Sequence, residues 1–514
     1  MTVLLVEFEA AVDADGTIET WRAATEGYNH SSAPGFYPEV IEETISIARE
    51  IRGEESRRRA AEVEFSDLTL INADGGLDEL IDYGLDGREV RGYLLDSTES
   101  PYDERTTLFV ATMGPPSFSL ETITIPIRDR LSELQQRFHR GVYDGEGELG
   151  GSENVIGQPL PSPVGWVYNV SLPLVNADKR IYQFAATEED ADLEDIYIGG
   201  VAPPRGDDYE DEDDLLDNAP EGDDVRVLPR RDGSGGYVRL PADPASSVTG
   251  NVVSGDDSRI GSVLKRLALR SPTVDEDDIS QDDVDALNDE MPEPVGIHED
   301  FEIDVLRIME RACQGAGVWF GFDRFGVLRF GLWDKPTSGG PLFLVANPVD
   351  QPIADHEYDI EEFEAEPTED RDLPVYAVTL LYGRNYTVQR GLNTDGLSAD
   401  RRSFIESEWS KTRAEDESVK DKHANARSIE IESIWATRDG ASAAAERILE
   451  RSKTRAIRGT LSTWLAKDLI NDIELGGSVD IMFPRYGMEE GRPFRVRLLE
   501  LDPVENRVEL GVWG

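Results

Sequence analysis

The feature that most constrains the fold is the spacing of the apolar residues, which recur in short runs where apolar and polar residues alternate. A period of two places one face of a strand in a core and the other in solvent. Residues 494–498 and 508–512 alternate in this way on either side of a turn-forming segment at 502–506. The pattern predicts an antiparallel hairpin at the end of the chain, and its repetition elsewhere predicts a β-rich protein.

The first part of the chain follows the same pattern and is predicted to form a barrel-like β domain at 1–143. Residues 44–51 form a strand-like run. The alternation within 63–70 slips by one residue, which predicts a β-bulge. Residues 72–75 are a typical turn sequence, and the spacing at 77–81 predicts a short helical piece after it.

Two segments follow that differ in composition. Glycine recurs in 144–157, which predicts a linker, and strand-like runs then predict a β-rich domain at 158–255. The mostly acidic run 207–224 inside that domain is interpreted as a solvated loop, because charge runs seldom contribute to a core.

The rest of the chain mixes helices and strands. Two runs of helical spacing, the second from Ile303 to Gly315 or Gly317, precede an alternating hairpin and predict an α/β domain at 256–345. Residues 346–514 are predicted to form a C-terminal barrel-like β domain with one Ala-rich helix. The predicted fold class is therefore β-rich α+β and multidomain, with two barrel-like β domains flanking mixed β and α/β segments.

Charge is the second strong constraint. The chain carries 105 Asp and Glu against 51 Lys and Arg, a formal net charge of −54, and only eight of the basic residues are lysines. At molar salt the Debye length falls to about 3 Å, so repulsion between surface carboxylates is largely screened. An acidic composition also occurs in disordered chains, but 39% hydrophobic residues in periodic runs favour a folded, salt-adapted protein. The charge argues against sequence-specific nucleic-acid binding, which requires basic patches.

No stretch approaches the roughly 20 apolar residues of a membrane span. The apolar start at 1–8 is too short for a signal peptide and contains Glu7. We therefore expect the protein to be synthesised in the cytoplasm and not to insert into a membrane. The single cysteine, Cys313, excludes a disulfide framework.

Motifs for catalysis or cofactor binding are weak. The glycines Gly145, Gly147 and Gly150 match a dinucleotide-binding pattern, but no buried strand precedes them and no helix is predicted after them. The five histidines lie singly, without metal-ligand spacing; they are His30, His139, His298, His356 and His423. We therefore predict no catalytic residue, no cofactor, no metal site and no enzymatic activity.

Two further patterns have plain structural readings. Asp13, Asp15 and Gly16 resemble the start of a calcium loop, but the rest of that loop is missing, so a hairpin turn is predicted. Three glycosylation sequons occur, at Asn29, Asn169 and Asn385, and the last two lie in strand-like runs that indicate a structural role.

Five stretches, read in order, resemble the tail-hub proteins of long-tailed viruses. They extend from residue 68 to the end of the chain, and the resemblance lies in their order as much as in any single motif. The stretches are Leu68-Thr-Leu-Ile-Asn-Ala-Asp-Gly75 with Asp86-Gly-Arg88; Ile156-Gly-Gln-Pro-Leu-Pro161 with Tyr168-Asn-Val170; Gly317-Val-Trp-Phe320 with Arg324-Phe-Gly326; Tyr382-Gly-Arg-Asn-Tyr-Thr-Val388; and Leu475-Gly-Gly477 with Pro484-Arg-Tyr-Gly487, Phe494-Arg-Val496 and Trp513-Gly514.

This resemblance implies a structural virion protein at the distal end of the tail tube, assembled in the host cytoplasm. Similar hub proteins form a homotrimeric ring in which two barrel-like domains per subunit give a pseudo-sixfold surface matching the hexameric tube. The partners implied are the tail tube protein, the tape-measure protein, and baseplate, fibre or receptor-binding proteins. The acidic insertion and the net charge depart from bacterial-virus versions and indicate a virus of a halophilic archaeon. A carboxylate-lined channel would repel DNA phosphates during genome ejection.

Other functions remain open at this stage. A receptor-binding tail fibre or tip protein would contain a repetitive shaft or a compact lectin-like tip. A tail-tip hydrolase acting on the host envelope would need a converging acid–base pair, which no motif indicates. A cellular surface protein of a high-salt organism would need an export signal.

Overall fold

A computed structural model describes residues 3–43, 45–51, 60–345, 357–366, 373–391, 397–465, 467–502 and 506–514. The described chain is β-rich, with several helices, and its buried apolar residues form separate core clusters. The β-rich, multidomain character expected from the sequence is therefore present.

The N-terminal region contains eleven described strands and three short 3-10 helices, Asp78–Asp82, Tyr102–Glu104 and Arg130–Leu134. The first of these helices agrees with the helical piece predicted at 77–81. The strands are β1 Val3–Ala11, β2 Ile18–Ala24, β3 Ile41–Glu43, β4 Ile47–Ile51, β5 Ala61–Phe65, β6 Leu68–Ile71, β7 Glu89–Leu95, β8 Thr106–Met113, β9 Ser117–Phe118, β10 Thr122–Ile125 and β11 Ile127–Arg128.

Two sheets enclose the N-terminal core. One has the order β11-β8-β7-β1-β2 and the other β3-β6-β10-β9. A single parallel bridge between Ala24 and Glu39 connects the end of β2 to the residues before β3. On the other side β10 runs directly into β11, across Pro126. The two sheets are thus linked on both sides without a continuous ladder between them.

The bulge predicted within 63–70 is wrong. The slip at Ser66 and Asp67 marks the point where the chain leaves one sheet and enters another, since β5 pairs with β4 whereas β6 pairs with β3 and β10. A change of sheet and a bulge both shift the alternation by one residue, so the sequence alone does not distinguish them.

The hairpin β4–β5 does not pair with the other N-terminal strands. Strand β4 pairs antiparallel with a strand close to the C-terminus, through Leu498↔Glu50 to Leu501↔Ile47. Arg49, 5% exposed, forms an ion pair with Glu474 and donates a hydrogen bond from Nη2 to the carbonyl oxygen of Phe322 (3.0 Å). The two ends of the sequence therefore share one sheet.

The middle of the chain forms a second β-rich unit followed by helices. Its two sheets have the orders β15-β18-β12-β19 and β13-β14-β17-β16. The elements are β12 Val164–Ser171, β13 Leu174–Asn176, β14 Ile181–Gln183, β15 Ala191–Ile198, α1 Glu212–Asp217, β16 Arg226–Leu228, β17 Tyr237–Arg239, β18 Val248–Ser254, α2 Ile260–Ala268, α3 Gln281–Glu290 and β19 Gly296–Ile297.

The acidic run 207–224 is more ordered than the solvated loop predicted for it. It contains α1, whose Asp211 cap accepts a hydrogen bond from the backbone N–H of Asp214. Leu215 is fully buried, and Arg239, 7% exposed, donates hydrogen bonds to the carbonyl oxygens of Leu215 and Leu216. Two leucines and one buried arginine fix a segment whose other side chains are mostly acidic.

The described residues of the C-terminal half form a large mixed sheet, a three-stranded sheet, the two-stranded sheet β20–β21 and five helices. Helix α4 ends at Gly317, whose φ of +74° is the left-handed conformation that favours glycine. The elements are α4 Val305–Ala316, β20 Val318–Phe322, β21 Leu328–Leu332, β22 Leu342–Leu344, β23 Glu357–Asp359, β24 Glu362–Ala365, β25 Val375–Tyr382, α5 Ala399–Glu406, β26 Ser410–Glu415, α6 Ser418–Lys422, β27 Arg427–Glu432, α7 Arg438–Ser452, β28 Arg458–Trp464, α8 Lys467–Asp472, β29 Ser478–Met482, β30 Arg492–Asp502 and β31 Arg507–Trp513.

The large sheet has the order β23-β22-β29-β30-β31-β28-β24, with β4 added to β30. Its two end strands, β23 and β24, are joined by only residues 360 and 361. Two residues bridge at most about 10 Å, so the two edges of the sheet lie side by side and the sheet nearly closes on itself. The predicted terminal hairpin is confirmed in β30 and β31, with a register shift that places Leu498 opposite Gly511.

The core clusters cross the predicted domain boundaries. One cluster combines residues of β1–β11 with residues of β28–β31, and includes Trp319 and Trp333. Another combines α2, α3 and α4 with β25 and α7. The boundaries at 143 and 345 remain predictions, but apolar packing continues across both positions in three dimensions.

Candidate functional site: a buried polar junction and an adjoining groove

A polar junction connects the middle β-rich unit to the sheet of β25. Asn169, on β12, has a φ of +52° at a register shift between β12 and β18. Its Nδ2 donates to Asn385 Oδ1 and to the carbonyl oxygen of Thr387, both at 2.8 Å. Its Oδ1 accepts from Thr249 Oγ1 (2.8 Å) and Arg401 Nη2 (3.0 Å). Every polar atom of this side chain has a partner.

Asn385 extends the junction to α5. Its Nδ2 lies within hydrogen-bond distance of the carbonyl oxygens of Phe404 (3.2 Å), Ile405 (3.0 Å) and Ser407 (3.0 Å) at the end of that helix. Asn169 and Asn385 are 0% and 1% exposed. Both sequon asparagines are therefore structural, as predicted, whereas Asn29 is exposed.

Beside this junction lies a cavity of about 490 Å³, called here the α4 groove. Its walls are the exposed face of α4, the residues after β19, the end of β27, and the segment around Arg384 and Tyr386. The aromatic side chains Phe301, Tyr386 and Trp409 line it together with Ile297 and Ile434.

A carboxylate is buried in the wall of the α4 groove. Glu299 is 3% exposed and is ion-paired with Arg311 and with Arg384, the latter at 3.6 Å. Burial raises the pKa of the Glu299 carboxyl, and the two guanidinium groups oppose that rise. Arg384 also lies over the Tyr386 ring at 4.8 Å and the Trp409 ring at 5.4 Å. The arginine is thus held by aromatic faces as well as by the carboxylate.

His298 lies behind the same wall, with its ring edge-on to Tyr386 at 5.5 Å. Its backbone N–H donates to the Tyr386 hydroxyl at 3.0 Å. Burial lowers the pKa of the imidazole to about 4, and its Nδ1 has no hydrogen-bond partner among the described residues. The ring is therefore neutral at pH 7. Burial also raises the pKa of Tyr386 to about 12.

The charge of the groove differs from that of the chain. Three acidic side chains line it, Glu299, Glu310 and Glu432, and three arginines balance them, Arg307, Arg311 and Arg384. Arg307 and Glu310 also line a neighbouring cavity of about 900 Å³, so the two cavities adjoin along the face of α4. A concave, aromatic and charge-balanced surface therefore exists on a chain of net charge −54.

A second contact joins two other stretches of the sequence that carry the resemblance. Gly476, with a φ of +76°, lies against the indole ring of Trp319, and a methyl group at this glycine would overlap that ring. Trp333 and Trp513 approach each other nearby, with ring centroids 5.7 Å apart. These side chains pack the β20–β21 hairpin against the C-terminal sheet.

The other sequence candidates have structural roles. Asp13 Oδ1 accepts hydrogen bonds from the backbone N–H groups of Asp15 and Thr17 in the predicted hairpin turn. Hydrogen bonds from the Thr17 side chain and from these backbone groups hold the pKa of the Asp13 carboxyl below its usual range. Gly145 and Gly150 close a loop through a 2.8 Å backbone hydrogen bond, and no helix follows it.

Among the described residues, no group of three or more His, Cys, Asp or Glu side chains is placed so that it could bind a metal ion. His139 lies between the carbonyl oxygens of Leu160 (3.1 Å) and Phe301 (2.9 Å), and His356 lies outside the described residues. Among the residues that the structure describes, no helix is long and apolar enough to cross a membrane.

No protein-family model matches the chain, and no curated protein matches it. Among solved structures it is similar to the 43 kDa tail protein of prophage MuSo2 from Shewanella oneidensis, with 11% identity, a TM-score of 0.40, and coverage of 99% of this chain and 95% of that one. It is also similar to a tail protein from Neisseria meningitidis MC58 (10% identity, TM-score 0.37, 99% and 96% coverage). A third similarity is to a chain in the virion of a native gene transfer agent particle (12% identity, TM-score 0.41, 75% and 91% coverage). All three TM-scores are too low to establish a shared fold or function.

Proposed function

We propose that this chain is a non-enzymatic structural protein of a viral tail, forming the hub at the distal end of the tail tube. The observation that carries the proposal is the set of five stretches that resemble tail-hub proteins in the same order along the chain. Four of them meet in pairs in the fold. The second and fourth meet at Asn169 and Asn385, and the third and fifth meet at Trp319 and Gly476.

These pairings concern residues far apart in sequence, since Asn169 and Asn385 are separated by 216 positions. If these stretches resembled the family only by chance, we would not expect them to contact one another in the core of the protein. The first stretch is different, because Asn72 Oδ1 accepts a 2.8 Å hydrogen bond from the backbone N–H of Leu77 and so fixes only its own turn. The resemblance therefore rests on residues that determine how distant parts of the chain pack.

The geometry of the two sheet systems supports a trimeric ring. In this proposal the linked N-terminal sheets and the nearly closed C-terminal sheet each act as one barrel-like unit, so three subunits would present six. Six such units would match a hexameric tail tube. The proposed neighbours are the tail tube protein, the tape-measure protein, and baseplate, fibre or receptor-binding proteins in the virion.

The charge of −54 supports a location in high salt and a channel that does not bind DNA. We assign the protein to a virus of a halophilic archaeon, assembled in the host cytoplasm. Carboxylates along the ring lumen would repel phosphates and let the genome pass during ejection. A density map of the ring with an arginine-lined lumen would contradict this part of the proposal.

Electron microscopy of the purified protein in molar NaCl tests the proposal. Threefold rings with an open centre are the expected result. Elongated spikes would contradict the hub and favour the receptor-binding fibre instead.

The hydrolase alternative has a separate test. Host surface polymers are incubated with the wild-type protein and with a Glu299→Gln variant, because Glu299 is the most deeply buried carboxylate of the groove. We expect no release of soluble products from either protein. Product release by the wild type that the variant loses would contradict the non-enzymatic role.

A further inference from the structure

A buried arginine without a carboxylate partner lies where three parts of the chain meet. Arg270 follows helix α2 and is only 5% exposed. Its Nη1 donates a hydrogen bond to the carbonyl oxygen of Phe138 at 3.3 Å, and its guanidinium group lies over the Phe138 ring at 4.3 Å. Among the described residues it forms no ion pair, and this hydrogen bond uses only one of the N–H donors of the guanidinium group.

The charged groups around Arg270 do not balance. Burial lowers the pKa of its guanidinium group to about 10, and four charged side chains modify that shift. They are Glu189, Arg140, Arg266 and Glu188. Glu189 is already ion-paired with Arg266 at 3.0 Å. Glu188 is already ion-paired with Arg140 at 3.1 Å. Arg270 is therefore the positive charge left over in this group.

A buried charge without a counter-charge is costly. Taking an ion out of water is unfavourable unless the surroundings supply an opposite charge and hydrogen bonds. With a pKa of about 10, Arg270 is still protonated at pH 7. The chain has 105 acidic residues for 51 basic ones, yet among the described residues none of those acids pairs with this arginine. The counter-charge is therefore expected from solution.

We propose that Arg270 binds a small monovalent anion, and that chloride fills this role in concentrated NaCl. Guanidinium N–H groups are strong hydrogen-bond donors to anions, and the two flanking arginines add to the positive potential. Because so little of Arg270 is exposed, an anion that reaches it must be small. The anion holds together the end of α2, residues 138–140 and residues 188–189, which lie on the two sides of the glycine-rich segment. The site belongs to the single chain and does not require a ring.

Salt then acts on this protein in two ways. Screening of the surface carboxylates depends on the ionic strength, whichever anion is present. Binding at Arg270 depends on the concentration of a small anion and stabilises the folded state by mass action. Replacing chloride with gluconate at a constant sodium concentration separates the two effects, because gluconate has the same charge and is far larger.

Urea unfolding of the full chain in mixtures of NaCl and sodium gluconate tests the site. Once chloride exceeds its dissociation constant, release of one ion on unfolding lowers the unfolding equilibrium constant about tenfold for each tenfold rise in chloride. We expect this dependence in the wild type and its loss in Arg270→Met, which keeps an unbranched side chain without the charge. Arg413→Met is the matched control and should keep the dependence, because Arg413 is exposed and ion-paired with Glu415 at 2.8 Å.

Bromide locates the anion directly and does not depend on the folding of any variant. Crystals of the wild-type protein grown with NaBr should show anomalous scattering within hydrogen-bond distance of the Arg270 guanidinium group. Bromide found elsewhere on the surface and not at Arg270 would be an adventitious ion only, and would overturn the site. Chloride dependence that Arg270→Met retains, or that both variants lose, would overturn it as well. None of these results bears on the hub.

Discussion

Two of the long-range joints among the described residues are held together by different physical interactions. The joint between β4 and β30 is a backbone ladder over an apolar core that both ends of the sequence share. The joint between β12 and the residues after β25 depends on Asn169 and Asn385, which are buried and hydrogen-bonded to each other.

Because of this difference, the two joints should respond differently to solvent conditions and to single substitutions. Apolar burial is spread over many side chains and is largely independent of direction. A buried amide network instead fixes one orientation, and removing one member leaves its partners unsatisfied. We therefore expect the first joint to depend on solvent conditions that act on the whole chain, and the second to depend on single residues.

The largest expected effect is that of salt. Lowering NaCl from molar concentration to 0.1 M lengthens the Debye length to about 10 Å, so the surface carboxylates repel one another. We expect the protein to unfold, including the apolar joint. A circular-dichroism melt that is the same at both salt concentrations would contradict salt adaptation.

The polar joint is tested by Asn385→Ala. The substitution removes the acceptor of the Thr387 backbone N–H and the donor to the Ser407 carbonyl oxygen, and it leaves Asn169 Nδ2 with one partner fewer. The carbonyl oxygens of Phe404 and Ile405 keep backbone donors, the N–H groups of Ser407 and Gln389. At about 1–3 kcal/mol for each buried group left unsatisfied, we expect a loss of about 3 kcal/mol or more in the free energy of unfolding, measured by denaturant titration in molar salt. The exposed Asn29→Ala is the matched control and should change it by less than about 0.5 kcal/mol. Equal effects of both variants would contradict the assigned role of the junction.

Gly476→Ala examines the Trp319 contact within the apolar core. The added methyl group overlaps the indole ring, and overpacking costs about 1–3 kcal/mol. Gly487→Ala is the control, because Gly487 has a similar positive φ of +73° but nothing within 4 Å of the added methyl. The difference between the two unfolding free energies isolates the overlap from backbone strain. No difference would show that the two stretches are not tightly packed.

The smallest effect concerns pH at His298. Its folded pKa of about 4 lies below the ordinary value of 6.5, so the unfolded chain binds the proton first. The stability contribution is complete above pH 6.5 and is lost as pH falls towards 4, by about 1.4 kcal/mol for each pH unit. The unfolding free energy at pH 5.5 should thus be about 1.4 kcal/mol lower than at pH 7. In His298→Gln this part of the slope should vanish, and an unchanged slope would contradict the buried neutral ring.

Local elements were predictable from sequence because local periodicity determines them. Helix α4 with its Gly317 end, the hairpin β20–β21 and the hairpin β30–β31 all follow the spacing of their apolar residues. Helix α3 was missed, because its ten residues include only Val284, Ala286 and Leu287 as apolar side chains among many acids. The pairing of β4 with β30 was not predictable, since nothing in the spacing of residues 47–51 indicates a partner more than 400 positions away.

The candidate site was only partly visible in the sequence. The sequence marks Asn169 and Asn385 as sequons and as members of the resembling stretches, but it does not indicate that they are hydrogen-bonded to each other in the fold. The α4 groove is assembled from five separate segments, and no spacing rule links Glu299 to Arg384. From its spacing His298 can be assessed only as a metal ligand, whereas its importance comes from burial beside Tyr386.

Locating the protein on virus particles tests whether it forms a hub at the tip of the tail. Antibodies raised against the exposed acidic segment at 207–224 can be imaged on particles kept in molar salt by electron microscopy. The account predicts label at the distal end of the tail, and none along the tail shaft or on the head. Label spread along the shaft, or found only on the head, would contradict a hub at the tail tip.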